Sequence, residues 1–458
     1  MLWRSALPAL FQRLSLDLDL AVSQARKAEA RRRLDFYHDE QANHLFARLQ
    51  EIFSEPEKLS LCYAINLLRK VINAKAAVYV SDAHREIEGG TEQDREILAQ
   101  IAETAGLSVK MKTASRYTKL LKTVLLRPAW RRGRMDLDIL TGDVLDVLTG
   151  DTPEDLRRVL ITHNPETGRS DEVEYSLWTP ETVSRLDYNG SVIAQDANPY
   201  RLLPFVPLWD GCPTESFWLR GGADLVNAQE ALNEKLTDLL YVIRQQGFGV
   251  GWIRKGKQSG GQITVDPGTL VELPENGALG FESQKAPIRE IVSAIQFLIE
   301  QVGISHGLSG TSLSTKVHRE SGSAKVAGTR ELEEQRRDDI TLFRRYELNL
   351  FEVFRTVWNA HNPARRLSPS ARLRVDFYDP KPVISAKDQA ETWQILTGLG
   401  VISSVDVAME RNPDLKTRAE AEAFLLKVRE ENLKFGRNKN AAAAANGGGI
   451  INGTQSNS

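Results

Sequence analysis

Two cysteines among 458 residues are too few to hold a fold together by cross-linking. Cys62 and Cys212 stand apart from each other and from any second Cys or His at ligand spacing, which excludes a zinc knuckle and a secreted disulfide scaffold. A reducing cytoplasm is the expected compartment. Excess charge of one sign is missing too: 59 Lys plus Arg against 61 Asp plus Glu leave a net of −2. That balance excludes a strongly basic nucleic-acid clamp and a polyacidic tail protein. Long hydrophobic runs are lacking as well. The opening MLWRSALPALFQRLSLDLDL is interrupted by Arg4, Arg13, Asp17 and Asp19, unlike a signal peptide, and no stretch approaches the roughly eighteen apolar residues of a membrane span. No membrane association is therefore expected. The signatures of nucleotide binding and hydrolysis, G-x-x-x-x-G-K-[ST], G-x-S-x-G and H-E-x-x-H, do not occur. Gly307 and Gly310 among Ser and Thr share only the composition of a phosphate loop, with no strand leading into them. Catalytic, metal and cofactor sites are all expected to be none.

What is present is ordinary globular composition, with 41% hydrophobic and 26% charged residues, which excludes wholesale disorder. The length corresponds to about three domains of roughly 150 residues. Residues 20 to 54 are rich in Ala, Arg, Glu and Leu and free of Gly and Pro until Pro56, and read as one long helix. A second helix carries Ile65, Leu68, Ile72 and Ala76, with a strand expected from Ala77, and another helix covers Glu92 to Ala105. From about 107 to 210 the texture becomes strand-dominated: VLLRPAW, LDILTGDVLDVLTG, RRVLITHN and VEYSLWTPETVSRL are short β-prone runs between turn residues.

A proline-rich approach, PFVPLWDGCPTESFW, then leads into a strong helix whose Leu225, Ala228, Leu232, Leu236, Leu239 and Ile243 form one stripe. The Gly-rich segment after Gly247 reads as a small β insertion, and a helix resumes with Ile288, Ile291, Val292, Ile295, Leu298 and Ile299 on one face. A polar loop, ISHGLSGTSLSTKVHRESG, follows. Ser323 to about Asn359 holds no proline, predicting a helix of about 37 residues and roughly 55 Å. Its first half is polar, predicted solvated or channel-facing. Its second half carries Phe343, Tyr346, Leu350, Phe351, Phe354 and Trp358, read as helix core. A strand near 371 to 380, two short helices, a final helix and a low-complexity tail from Arg437 complete the chain. The fold class is α+β, mainly helical.

Other clusters have plain readings. His38 and His44 lie six residues apart, about 240° around a helix, which separates them as metal ligands. The basic runs Arg31, Arg32, Arg33 and Arg127, Arg131, Arg132, Arg134 read as solvated faces. Arg254, Lys255 and Lys257, and Lys316, His318 and Arg319, differ because they fall in the β insertion and the polar loop, where function is more often carried. Trp209 and Trp218 among prolines read as a packed domain junction.

The passages RRRLDFYHDE, INLLRKVINAKAAVYV, YRLLPFVPLWDG running into GGADLVNAQEALNEKLTDLLYVI, and GLSGTS followed by ESGSAKVAGTRELEEQRRDDI stand in a telling order. Over roughly residues 30 to 435 that order resembles the phage portal proteins, the dodecameric head-to-tail connectors of tailed bacteriophages. The resemblance implies a ring with wing, stem, clip and crown. Residues 1–219 and the strand within 323–382 would form the wing, 220–247 and 287–303 the stem helices, and 248–286 the clip. Residues 304–322 would be the tunnel loop, 323–360 the long wing helix, 383–436 the crown and 437–458 a disordered tail. The crown is short for the family, and the Ala/Gly/Asn tail carries no family motif.

The resemblance implies a non-enzymatic protein at the portal vertex of the virion, assembled in the host cytoplasm. It would conduct double-stranded DNA without sequence specificity during packaging and ejection. Its partners would be copies of itself, terminase, head-completion or adaptor proteins, and the major capsid and scaffolding proteins. A near-zero net charge suits a conduit, since many phosphate contacts would hold a polyanion rather than let it slide. Ser309, Thr311, Ser312, Ser314, Thr315, Lys316, His318 and Arg319 would meet the DNA backbone in the tunnel, and Arg254, Lys255 and Lys257 would dock partners at the clip. The mixed charges of 329–345 are candidates for the contact between subunits. The alternatives are another virion or scaffold protein whose long helix binds a partner, and a cytoplasmic enzyme with a site built from distant segments.

Overall fold

The computed structural model describes residues 20–52, 63–163, 173–248, 250–254, 278–282, 287–308, 313, 322–378, 386–412 and 414–434. Among these the chain is α+β, with eleven helices and twelve strands, and it divides into two compact units, Met1–Pro380 and Lys381–Ser458. No helix among the described residues is long and apolar enough to cross a membrane.

The first unit opens with α1 (Leu20–Tyr37) and α2 (Ala42–Ile52) rather than the single helix expected from composition. The break is conformational: Asp39 adopts φ +69° and turns the chain out of the helix. The helix-end carbonyls of Phe36 and Tyr37 accept hydrogen bonds from the Asn66 side chain, 2.8 and 3.3 Å away. Asn66 also caps the start of α3 (Leu67–Lys75) by accepting from the Arg69 amide. The strand expected from Ala77 begins later, as β1 (His84–Glu88), with turns between.

α4 (Glu92–Ala105) starts with a reciprocal capping box between Thr91 and Asp94 and stops at Gly106, whose φ of +63° is left-handed. α5 (Leu107–Leu121) follows immediately, so the strand-dominated region starts some fifteen residues later than expected. Leu107, Met111, Ala114, Thr118 and Leu121 recur at helical spacing and are buried, which overrides the β-prone appearance of the segment.

Two antiparallel sheets come next. β2 (Thr123–Arg131) lies between β3 (Arg134–Leu140) and β9 (Val206–Trp209). β4 (Leu145–Thr149), β5 (Leu156–His163), β6 (Glu174–Trp178), β7 (Thr182–Leu186) and β8 (Val192–Ala197) form a five-stranded meander in chain order. A separate ladder pairs β1 with β12 (Arg372–Asp376), tying the N-terminal region to the chain that returns from the longest helix.

α6 (Ala223–Phe248) and α7 (Ile288–Ser305) pack side by side and flank β10 (Val250–Arg254) and β11 (Ala278–Glu282), which pair antiparallel. α8 (Gly322–His361) spans 40 residues, about 60 Å at 1.5 Å per residue. The aromatic stripe on its second half is core, as expected: Phe343, Tyr346, Leu350, Phe351, Phe354 and Trp358 are all buried against β2, β9 and β12. Within that core the buried Glu347 accepts hydrogen bonds from Arg85 Nη2 at 2.6 Å and the Tyr79 hydroxyl at 2.7 Å. Burial, reinforced by the Glu347 charge, pushes the Tyr79 hydroxyl well up. The polar half is less solvated than expected, because Arg336 and Asp339 are buried.

The second unit holds α9 (Ala386–Gly398), α10 (Ser404–Arg411) and α11 (Arg418–Lys434). α10 begins with a Ser403–Asp406 capping box and packs on α11. Only Ala408 and Ala421 are buried among its described residues.

Candidate functional site

The arm made of α6, the β10–β11 pair and α7 is the most distinctive part of the first unit, and its attachment is built from polar side chains. Gln229, Asn233 and Thr237 recur every fourth residue along α6 and are buried. They face an extended segment, residues 63–66, that lacks a strand neighbour of its own. The Thr237 hydroxyl accepts from the Tyr63 amide at 3.2 Å, Asn233 Oδ1 accepts from the Ile65 amide at 3.2 Å, and Gln229 Oε1 accepts from the Leu67 and Leu68 amides at 2.8 and 2.9 Å. Gln229 Nε2 donates back to the Ile65 carbonyl at 2.7 Å, and Asn233 Nδ2 donates to Gln41 at 3.1 Å. Backbone groups that would otherwise be buried without partners are thus satisfied by one helix face.

A cavity of about 480 Å³ opens at the root of the arm, between α3, the end of α5, the turn after β9, the start of α6 and the end of α7. Lys119 reaches it with only 3% of its side chain exposed and is gripped by Asp210 Oδ1 at 2.6 Å and Asp339 Oδ1 at 2.8 Å. Burial would lower the Lys119 ammonium, but the two carboxylates outweigh it and hold it above its usual range. Lys122 binds the other oxygen of Asp210, also at 2.6 Å. Burial, joined by the charge of Asp210, raises the Asp339 carboxyl despite Lys119. His306, near the end of α7, lines the same cavity. Burial first and the Lys75 charge second push its imidazole down.

The residues singled out in the sequence are spread differently. Ser309, Thr311, Ser312, Ser314, Thr315, Lys316, His318 and Arg319 lie outside the described residues, as do Lys255, Lys257 and the tail 437–458. Leu313, in the middle of that loop, is described and buried beside Gly303 of α7. Arg254 ends β10, opposite Ala278. The first basic run is not the solvated face it resembled. Arg33 is buried, bonded to Glu29 at 3.0 Å and to the Leu120 carbonyl at 3.3 Å, while Arg32 reaches across to Glu230 of α6 at 2.7 Å. In the second run, Arg127 and Arg131 are paired with Asp138. A long amphipathic or basic side chain is drawn in wherever carboxylates and carbonyls wait for it.

Three of the mixed charges on α8 are likewise used within the chain. Arg336 donates to the Ala77 and Tyr378 carbonyls, Asp339 holds Lys119, and Arg345 forks onto Glu154 at 3.1 Å to both oxygens. His38 bonds the Tyr117 hydroxyl at 3.0 Å and His44 bonds Asp35 at 2.9 Å. Trp209 sits on β9 with its indole N–H donating to the Phe217 carbonyl at 2.7 Å, and Arg26 stacks 3.8 Å above the Trp218 ring.

Sequence reasoning missed both the polar ladder and the cation-lined cavity. The ladder had a signal, a polar period of four running beside the apolar stripe of α6. The cavity had none, because its cations, Lys75, the pair Lys119 and Lys122, and Arg220, come from three places in the chain that only folding joins.

No family model matches the chain, and no curated protein matches it. Among solved structures it is similar to a chain in the virion of a native gene transfer agent (GTA) particle, with a TM-score of 0.40 and 10% identity over 74% of this chain and 86% of that one. It is also similar to a chain in the neck of an empty GTA particle computed with C6 symmetry, with a TM-score of 0.42 and 12% identity over 78% and 92%. A chain in the neck of a native GTA particle computed with C12 symmetry gives 0.40 and 13% over 74% and 86%. These structural neighbours are virion and neck structures of GTA particles. At this level of likeness, function has to be argued from the chain's own residues.

Proposed function

We propose that the chain is a portal-type structural protein of a phage-like virion. It is one subunit of a closed ring at the head-to-tail connection, through which double-stranded DNA enters and leaves the capsid. The observation that carries this reading is the arm. A helix, a β pair and a returning helix lead directly through the 309–321 segment into a 40-residue helix, in the order that the sequence resemblance requires. The arm helices leave Tyr241, Ile243, Phe297 and Ile304 substantially exposed, with Phe297 at 59% and Ile304 at 62%. Large apolar side chains grouped on two paired helices need cover, and further copies of the same arm arranged around an axis supply it.

In this reading α6 and α7 are the stem and the β10–β11 insertion is the clip, where Arg254, Lys255 and Lys257 meet terminase and later the head-completion proteins. The segment carrying Ser309 to Arg319 lines the tunnel and offers the DNA backbone hydrogen bonds and a few charges without reading bases. The second unit is the crown. No step of this role breaks a covalent bond, so the protein works as architecture and conduit.

Native mass spectrometry with negative-stain imaging of the full-length protein tests the proposal. Rings of about twelve subunits with a central hole are expected, alone or with the scaffolding protein co-expressed. A monodisperse monomer under both conditions overturns the ring and favours a partner-binding virion protein.

A further inference from the structure

The cavity at the root of the arm carries more positive charge than its own carboxylates neutralise. Lys75, Lys119, Lys122 and Arg220 line it, against Asp210 and Asp224, and Asp339 lies behind Lys119. Asp210 is already paired twice, with one oxygen on Lys119 and the other on Lys122. Asp224 is 67% exposed, and one of its oxygens lies 3.7 Å from the His306 ring. Lys75 is therefore left in the cavity wall with no hydrogen bond or ion pair among the described residues. Burial, then repulsion by Lys122 and Lys119, push its ammonium down from the usual range. Asp210 and Asp224 oppose this shift through space without forming an ion pair with Lys75, so the lysine stands in a wall whose cations outnumber its carboxylates.

The backbone is shaped for close approach at the same place. Gly221 and Gly222 adopt φ of +107° and +81°, in the left-handed region that favours glycine. A Cβ on Gly222 would stand 3.0 Å from Lys122 Cε and 3.0 Å from Arg33 Nη1, so a side chain there would have to push both cationic side chains aside.

We infer that this cavity binds a phosphate group, with Lys75, Lys122 and Arg220 as its cations and His306 as a neutral hydrogen-bond donor. Counting Asp339, four cations face three carboxylates; without it they face two. The net of one to two positive charges matches a phosphodiester or an inorganic phosphate. The site lies within a single subunit, so it stands or falls independently of ring assembly. Two sources could supply the group, free phosphate or the DNA backbone, since Ser305 and His306 of the cavity wall stand within four residues of Ser309, where the proposed DNA-contacting segment begins.

The test is thermal unfolding of the full-length protein against inorganic phosphate at constant ionic strength, with chloride making up the difference. The unfolding midpoint should rise with the logarithm of phosphate concentration, as for a ligand that binds only the folded state. Lys75→Gln, which removes an uncompensated charge, should fold normally yet bind phosphate about tenfold more weakly, the loss of one charge-assisted contact. Lys75→Arg should retain the response. A short DNA duplex that displaces phosphate assigns the site to the DNA backbone, whereas binding undisturbed by the duplex assigns it to the free anion. Either result upholds a phosphate site. A phosphate response no larger than that to chloride, or one that Lys75→Gln keeps in full, overturns it.

Discussion

Asp136 and Asp138 stand two residues apart on β3, and cations pin both. Asp136 accepts from Lys110 and from Arg131 at 3.0 Å, and Asp138 accepts from Arg127 at 2.5 Å and Arg131 at 2.5 Å. Burial opposes ionisation of Asp136, but Lys110, the Leu137 amide and Arg131 outweigh it and hold the carboxyl at about 2. In the unfolded chain the same group titrates near 3.9. A depressed folded value means that the stabilisation is fully present above about pH 4 and is lost as pH falls through about 2. With 31% of the side chain exposed, water screens the effect and keeps it small. Asp136→Asn should therefore flatten the pH dependence of the urea midpoint between about pH 4 and 2. Identical slopes in the variant and the parent would mean that this carboxylate titrates alike in both states.

Among the elements, α6 depends on its polar ladder more than on its apolar stripe. Leu225 and Leu232 are buried, but the stripe thins out toward Ile243, which is 46% exposed. Gln229, Asn233 and Thr237 occupy the face that meets residues 63–68. Asn233 stands at the centre of the ladder, with the Ile65 amide, Gln41 and Gln229 all bonded to it. Asn233→Ala leaves these groups buried without partners and should destabilise the first unit by about 2–3 kcal/mol in chemical denaturation. Amide exchange at Ile65 should accelerate while the β2–β3 ladder stays protected. Unchanged protection at Ile65 would show that the segment is held by packing alone.

At the scale of the whole molecule, each of the two units leaves large apolar side chains uncovered among its described residues. Besides the arm, the second unit exposes Leu399 at 71%, Val401 at 67%, Ile395 at 62% and Leu426 at 62%. A chain with near-zero net charge has little long-range repulsion to keep such surfaces apart, so association is the physical expectation. Phe297→Asp puts a charge where a neighbour's arm would pack. Because Phe297 is exposed in the single chain, the variant should keep its unfolding midpoint while losing ring-sized species in native mass spectrometry. Rings that form as before would place the subunit contact elsewhere.

The long helix α8 was legible in the sequence because nothing in it breaks a helix and its aromatics recur at helical spacing, so local preference and burial agree. The same holds for α4, with Thr91 and Asp94 at its start and Gly106 at its end, and for the alternating runs that became β2 to β7. The division of residues 20 to 54 into α1 and α2 was not legible, since the caps on Phe36 and Tyr37 come from Asn66, which only tertiary contact brings there. α5 was misread because a helix buried on one side can carry the same residues as a strand. The candidate DNA and docking residues were chosen from the sequence, and of these only the backbone of Arg254 is described. The phosphate cavity came from tertiary structure alone: Lys75, Lys119, Lys122 and Arg220 carry no shared local pattern, and their uncompensated charge exists only once Asp210 has bonded two of them. Periodicity reports which face of an element is buried, whereas the sign and balance of charge in a cavity depend on which distant faces meet.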